Sequence, residues 1–176
     1  MPGITARPVL QSQRLTLRPP VAADAVRMAE LANDFDVTRM TGSMPHPYTV
    51  VDAQAFMDRV ERGDGDHEPF FAIDGEDGFA GVVGLYPHAG AASELGYWLG
   101  RPYWGRGYAT EAGRRIMEWV KAEWRRRVII ASHFADNPVS GGVLCKIGFL
   151  YTGEIQRHHC KARGEDVPSR MMVWLA

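Results

Sequence analysis

The sequence predicts an α/β (α+β) domain in which helices flank a mixed, mostly antiparallel sheet. Three observations predict it. An alternating, aromatic-rich run from Glu94 to Leu99 passes through a glycine-containing turn into a long amphipathic helix, and an apolar strand follows at Val128 to Phe134. Such a strand–helix–strand unit crosses over and lays its two strands parallel. The other apolar runs are short and bounded by turn residues, and Phe70 to Asp74 with Phe79 to Tyr86 reads as a hairpin, so the rest of the sheet is expected to be antiparallel.

The elements follow in order. Residues 1–12 read as a loose amino-terminal arm of one domain spanning residues 1–176. A strand is expected over Arg14 to Arg18 and a helix near Ala22 to Ala32, then a short helix at Asp34 to Met40 and a turn-rich segment, Thr41 to Tyr48. Val50, Ala53, Phe56, Met57 and Val60 recur at helical spacing, and Glu61 to Glu68 is a polar connector. The hairpin turns at Gly75 to Gly78. In the long helix Ala109, Ala112, Ile116, Trp119, Val120 and Trp124 mark the core face, and the basic run Arg125 to Arg127 closes it favourably. A further helix has Asn137 as N-cap, Pro138 as first residue, Lys146 as last-turn cation and Gly148 as its stop. Strands near Phe149 to Arg157 and Arg170 to Leu175 complete the chain.

Composition narrows the function classes. At 176 residues, 45% hydrophobic and 23% charged, the chain suits one globular domain with a sizeable core. A net charge of -1 and a pI near 6.6 give no global pull toward nucleic acid or an anionic membrane. No apolar stretch approaches the roughly 20 residues that cross a bilayer, and no secretory signal pattern opens the chain. Cys145, within the apolar helix pattern, and Cys160 are expected as reduced thiols, which fits a cytoplasmic protein.

The segment most informative about chemistry is the turn before the long helix. Gly105 and Gly107 remove Cβ atoms where main-chain N–H groups emerge from the helix start, so a phosphate can approach closely, with Arg101 and Arg106 as nearby charge. Conformational need alone also places glycines in such turns. The dinucleotide fingerprint fails because its third glycine would fall at Thr110, and no Gly-Lys-Ser/Thr completes a Walker loop. Histidine and cysteine meet at His158-His159-Cys160, but neighbours on a strand face opposite ways and no second pair completes a tetrahedral set. Asp64, Asp66 and Glu68 lack the pattern of an EF-hand. No metal site is expected.

Two linked motifs carry a family resemblance. Tyr103-Trp-Gly-Arg-Gly-Tyr-Ala-Thr-Glu-Ala112 and Asn137-x-x-Ser140…Lys146-x-Gly148-Phe149 resemble the GNAT superfamily of acyl-CoA N-acyltransferases, in particular its RimJ/RimL-type branch. The opening Arg14 to Pro19 strand and a Gly-Phe-x-x-x-Gly pattern ending at Gly153 extend the likeness over nearly the whole chain. The loop departs from the superfamily pattern in one place, with Trp104 at the position usually held by Gln or Arg.

The resemblance implies a GNAT fold with a splayed parallel strand pair that holds acetyl-CoA, the acyl donor, and direct attack of an amine on its thioester. The pyrophosphate is then expected on Trp104, Gly105, Arg106, Gly107, Tyr108, Ala109 and Thr110. Pantetheine is expected along Leu95, Tyr97, Trp98 and Leu99 and along Ser132 to Phe134, with Asn137, Ser140 and Lys146 as further contacts. For proton removal Glu94 is the first candidate, its competing reading being a solvated strand-end carboxylate, and His158 with His159 is the second. Ser140 is the candidate for protonating the CoA thiolate, against a simple capping or cofactor-binding role. The acceptor is expected to be a primary amine, either a protein amino terminus or a small molecule, on a monomer or homodimer. A non-catalytic acyl-CoA sensor is the alternative; nucleic acid and membrane partners are not expected.

Overall fold

The computed structural model describes residues 8–63, 69–88 and 92–176. Most of the Glu61 to Glu68 connector, with Asp64, Asp66 and Glu68, lies outside the described residues. Eight strands form one sheet: β1 (Leu10–Gln11), β2 (Thr16–Arg18), β3 (Phe70–Gly75), β4 (Gly78–Pro87), β5 (Ser93–Leu99), β6 (Val128–Phe134), β7 (Leu150–Cys160) and β8 (Glu165–Leu175). Their spatial order is β1-β2-β3-β4-β5-β6-β8-β7. All neighbours are antiparallel except β5 and β6, the pair joined by the crossover helix. The helices are α1 (Ala25–Ala32), α2 (Phe35–Thr38), α3 (Val50–Arg62), α4 (Tyr108–Trp119) and α5 (Pro138–Ile147).

Phe70 and Phe71, neighbours on β3, assign the helices to two layers. Phe70 meets Phe56 of α3 edge-on at 5.4 Å, whereas Phe71 meets Trp119 of α4 at 5.8 Å. Successive strand residues point to opposite faces, so α3, with α1 packed on it, covers one face and α4 with α5 the other. The core fills both interfaces, with Leu17, Ile73, Leu85, Ile116, Ile129 and Met172 fully enclosed. No helix among the described residues is long and apolar enough to cross a membrane.

The structure differs from the expectations in four places. Part of the supposed loose arm is a strand: Leu10 is buried and pairs with Leu17, because Leu10 supplies an apolar side chain the sheet edge can cover. The α-helix ends at Trp119 and continues as a π-helical turn, Val120–Trp124, closed by Arg125 at φ 55°. The wider turn brings residues five apart together, and Trp119 stacks on Trp124 at 5.7 Å. The last two strands are longer than their apolar pattern, since Pro168 and the charged residues beside it sit in a hairpin whose ladder runs to Cys160 and Glu165. Finally, Cys145 is exposed rather than on the apolar face, being one residue, about 100° of helix, beyond buried Leu144.

One ion cluster ties the first strand pair to the first helix. Arg18 donates to both oxygens of Asp24 at 2.8 Å and to Asp74 at 2.5 and 3.1 Å. Burial pushes the Asp24 carboxyl up, but the Arg18 bonds and the Val21 N–H outweigh it and hold it below its ordinary value. Its stabilisation is therefore full above the unfolded-state pKa, roughly pH 4, and fades as pH falls through the lower folded value. Asp24→Asn is expected to cost about 1.5–3 kcal/mol in urea denaturation at neutral pH, and the gap to wild type should narrow toward pH 3. A gap that does not change with pH would mean that the charge pair is not its source.

Candidate active site

The site begins where β5 and β6 part. They pair only through Ser93–Ile129, Glu94–Ile130 and Leu95–Ala131. Beyond these, β5 stays laddered to β4 as far as Leu99 and β6 to β8 as far as Phe134, so each strand follows its other neighbour. A wedge opens between Gly96–Leu99 and Ser132–Phe134, whose facing main-chain groups have no ladder partner across it. Such groups seek an outside hydrogen-bond partner.

On the α3 face of the wedge stands Glu94. Its Oε1 accepts from the Ser132 hydroxyl at 3.0 Å, and its Oε2 lies 3.0 Å from His88 Nδ1. The side chain is 17% exposed, so it is sheltered yet reachable through water. On the α4–α5 face stands Tyr97, whose hydroxyl is 2.7 Å from Ser140 Oγ in the first turn of α5. Burial pushes the Tyr97 phenol up to about 12, with the Ser140 bond pulling the other way, so the O–H is retained at neutral pH. Period-2 alternation puts Glu94 and Tyr97 on opposite faces, with the wedge between them.

The loop after β5 reaches the start of α4 through two left-handed glycines, Gly105 at φ 72° and Gly107 at φ 78°. Gly107 is the N-cap, and no side chain caps this helix, so the first-turn N–H groups of Tyr108, Ala109 and Thr110 face outward without an internal acceptor. Trp104 donates its indole N–H to the Leu99 carbonyl at 2.8 Å, pinning the loop to the end of β5. From across the sheet, Arg14 donates to the Arg106 carbonyl at 2.8 Å and to Glu111 at 2.7 Å, and Glu111 also accepts from Ser12 at 2.7 Å. This clamp neutralises the one acid in the first turn of α4, which would otherwise repel an anion.

The other predicted residues fall in several places. Leu95 and Leu99 are buried beneath the wedge, and Trp98, on the Glu94 face, packs against Phe79. Tyr108 is buried, stacked on Tyr103 at 6.1 Å, so its ring supports the loop from below. Arg101 is held by Asp34 and Asp36, at 2.6 and 2.5 Å, while Arg106 lies over the Tyr103 ring with no carboxylate partner among the described residues. Asn137 caps α5 by accepting from the Ser140 N–H at 3.4 Å. Gly107, Thr110 and Lys146 line a groove of about 850 Å³ beside the helix start, with Arg14, Arg114 and Arg115. His158 is on β7, with its ring bonded to Gln156 at 3.2 Å, and His159 pairs with Asp166; neither is joined to Glu94 or Ser140. Sequence reasoning missed His88, Arg14, the Ser132 bond to Glu94 and the Tyr97–Ser140 hydroxyl contact. Only the alternation of β5 carried any signal, by placing Tyr97 opposite Glu94.

An open strand wedge leads to an uncapped helix start, with the Glu94 carboxylate on one face and the Tyr97–Ser140 hydroxyl pair on the other. Residues 14–150 match the family model described as Acetyltransferase (GNAT) domain. The chain belongs to the GNAT acetyltransferase family and is an enzyme of that class. The uncharacterized N-acetyltransferase p20 of Bacillus licheniformis is 28% identical over 172 residues, covering 94% of this chain and 95% of p20. The fold is also similar to that of RimL, a ribosomal L7/L12 alpha-N-protein acetyltransferase solved with coenzyme A (TM-score 0.83, 16% identity, 96% and 98% of the two chains). It is similar again to that of the microcin C7 self-immunity acetyltransferase MccE, solved with acetyl-CoA and AMP (TM-score 0.81, 20% identity, 94% of each chain). At these identities the two structures speak to the fold alone.

Proposed function

We propose that this chain is a cytoplasmic, RimJ/RimL-type enzyme that transfers the acetyl group of acetyl-CoA to a primary amine by direct attack in a ternary complex. The observation that carries the reading is the wedge with Glu94 on one face and Tyr97–Ser140 on the other. Pantetheine lies between β5 and β6 and bonds their unpaired main-chain groups. The pyrophosphate rests on the N–H groups of Arg106 to Ala109, and the groove around Thr110, Arg114 and Lys146 takes the nucleotide end. The amine approaches from the α3 side, where Glu94 removes its proton through a water, since both carboxylate oxygens already have protein partners. The nitrogen attacks the acetyl carbon, the carbon–sulfur bond breaks, and the thiolate takes the Tyr97 proton, which Ser140 orients; the nitrogen's remaining extra proton leaves through water and reprotonates Tyr97, giving the neutral amide.

The comparisons favour an enzyme over a binding-only module, because the family and p20 are both described as acetyltransferases. A thiol-release assay with acetyl-CoA against amino-terminal peptides, polyamines, amino acids and aminosugars tests the proposal. Release dependent on an added amine supports it, and acetyl-CoA binding without release for every amine rejects it.

The acid assignment has its own test. Tyr97→Phe is expected to lower kcat roughly tenfold, with a larger loss when combined with Ser140→Ala and little change in acetyl-CoA affinity. Because its pKa is raised to about 12, wild-type activity should show no loss from Tyr97 ionisation below pH 10. Full kcat in the double variant would remove both residues from the mechanism.

A further inference from the structure

The acceptor side of the site, as read above, carries a second charged group that indicates the kind of amine. Arg59 projects from α3 with its guanidinium carbon 5.5 Å from the centre of the Phe56 ring and 5.4 Å from that of Phe70. Phe70 stacks on Tyr86 at 5.9 Å, and Tyr86 is the direct cross-strand partner of Glu94. Gly84 and Gly96 oppose each other in the same register and leave the sheet bare there. A Cβ at Gly84 would strike the Phe70 ring, and one at Gly96 the Tyr86 hydroxyl. The two rings therefore lie down on the strands as an aromatic floor, Phe70 buried beside Phe56 and Tyr86 half-buried, with a carboxylate at the Tyr86 end and a guanidinium at the Phe70 end.

Both charges act on the Tyr86 hydroxyl. Burial raises its pKa above the ordinary range, Glu94 raises it further, and Arg59 opposes them. Neighbouring arginines on this side are spent on protein carboxylates: Arg39 on Asp36, Arg101 on Asp34 and Asp36, and Arg163 on Asp136. Arg59 has no carboxylate partner among the described residues, and its exposed position leaves its N–H groups open to solvent. Among the acids of α3, Asp52 is taken by the Thr49 cap, and neither Asp58 nor Glu61 forms an ion pair with Arg59. An arene-supported guanidinium presents a planar fork that matches a carboxylate or a phosphate.

We infer that the acceptor is a small zwitterionic amine whose anionic group is received by Arg59 while its amino group meets Glu94. This rests on the acetyl-transfer reading and adds the substrate class to it. An aromatic floor between two opposite charges discriminates against polyamines, which would set a cation on Arg59, and against neutral amines, which would leave it unused.

The test uses the full chain with glycine, 4-aminobutyrate and 6-aminohexanoate, each against its amide, and O-phosphoethanolamine as the phosphate arm. Thiol release from acetyl-CoA reads turnover, and calorimetry with CoA present reads acceptor binding without turnover. Wild type should prefer at least one zwitterion over its uncharged-end partner by about 10- to 100-fold in kcat/KM and in affinity. Arg59→Leu should abolish that preference through KM and Kd, leaving kcat and the amide values in place, and Arg59→Lys should keep part of it. Equal use of zwitterion and amide by wild type, binding of neither, or equal losses for both in Arg59→Leu would overturn the inference. Arg59-dependent binding without thiol release would support the inference and reject acetyl transfer, so the two readings fail separately.

Discussion

Glu94→Gln is expected to lower kcat by on the order of 10²–10⁴, the range a positioned general base contributes, while acetyl-CoA affinity stays unchanged. The substitution preserves shape. A glutamine Oε1 can still accept from Ser132 Oγ, which lies 3.0 Å from the Glu94 carboxylate, and the amide can still meet His88, so the strand start and the wedge should stay in place. What disappears is the carboxylate's capacity to take a proton. A more basic bulk pH should restore part of the rate for amines that lose their proton unaided. Substrate and variant are best compared as kcat and KM separately, because loss of a proton acceptor acts on kcat. Equal rates at every pH would return Glu94 to the competing reading of a solvated strand-end carboxylate.

The second large effect is expected at Gly107. Valine there should weaken acetyl-CoA binding roughly 10²-fold by calorimetry, from backbone strain and from added bulk. At φ 78° the residue is left-handed, a conformation that costs a β-branched side chain about 1–3 kcal/mol, so the N-cap of α4 is strained or moves. An added Cβ would also lie 3.3 Å from Arg14 Nη2, disturbing the clamp that holds the Arg106 carbonyl and Glu111. The remaining branches would stand where a phosphate must approach the N–H groups. Gly107→Ala separates the causes, since it keeps most of the backbone strain and omits the bulk. Unchanged affinity in the valine variant would remove the helix start from the cofactor site.

Several parts of the site were legible in the sequence because they are local. The cap of α5 is set by Asn137, Pro138, Lys146 and Gly148 within a dozen positions, and all four take the expected places. The left-handed turn into α4 is written in Gly105 and Gly107, and the parallel pair follows from the length of helix between Leu99 and Val128. The strand alternation of β5 likewise fixed which of its residues share a face. The π turn was not legible: Trp119, Val120 and Trp124 fit an α-helical stripe, and only packing of Trp124 on Trp119 selects the wider turn.

The pairings that give the site its chemistry joined residues far apart in the chain. Ser132 reaches Glu94 across 38 residues, Ser140 reaches Tyr97 across 43, and Glu111 reaches Arg14 across 97. A serine, a tyrosine or an arginine has no spacing signature for a partner that distant. Arg59 was hidden for another reason. On α3 it occupies a polar position of an amphipathic helix, and its significance lies in the Phe70 and Tyr86 rings that the sheet sets beneath it.

By itself the sequence determined the order and type of the elements from β2 onward apart from the π turn, the crossover that makes β5 and β6 parallel, and the helix start that offers bare N–H groups, because each is fixed by side-chain period and backbone preference over a few turns of chain. The tertiary structure alone decided how far β5 and β6 stay together before parting, which carboxylate and which hydroxyl stand on either side of the opening, and that Arg59 has no carboxylate partner among the described residues. Those outcomes depend on how β4 and β8 pull the two strands apart and on side chains that meet only once the sheet has closed around them.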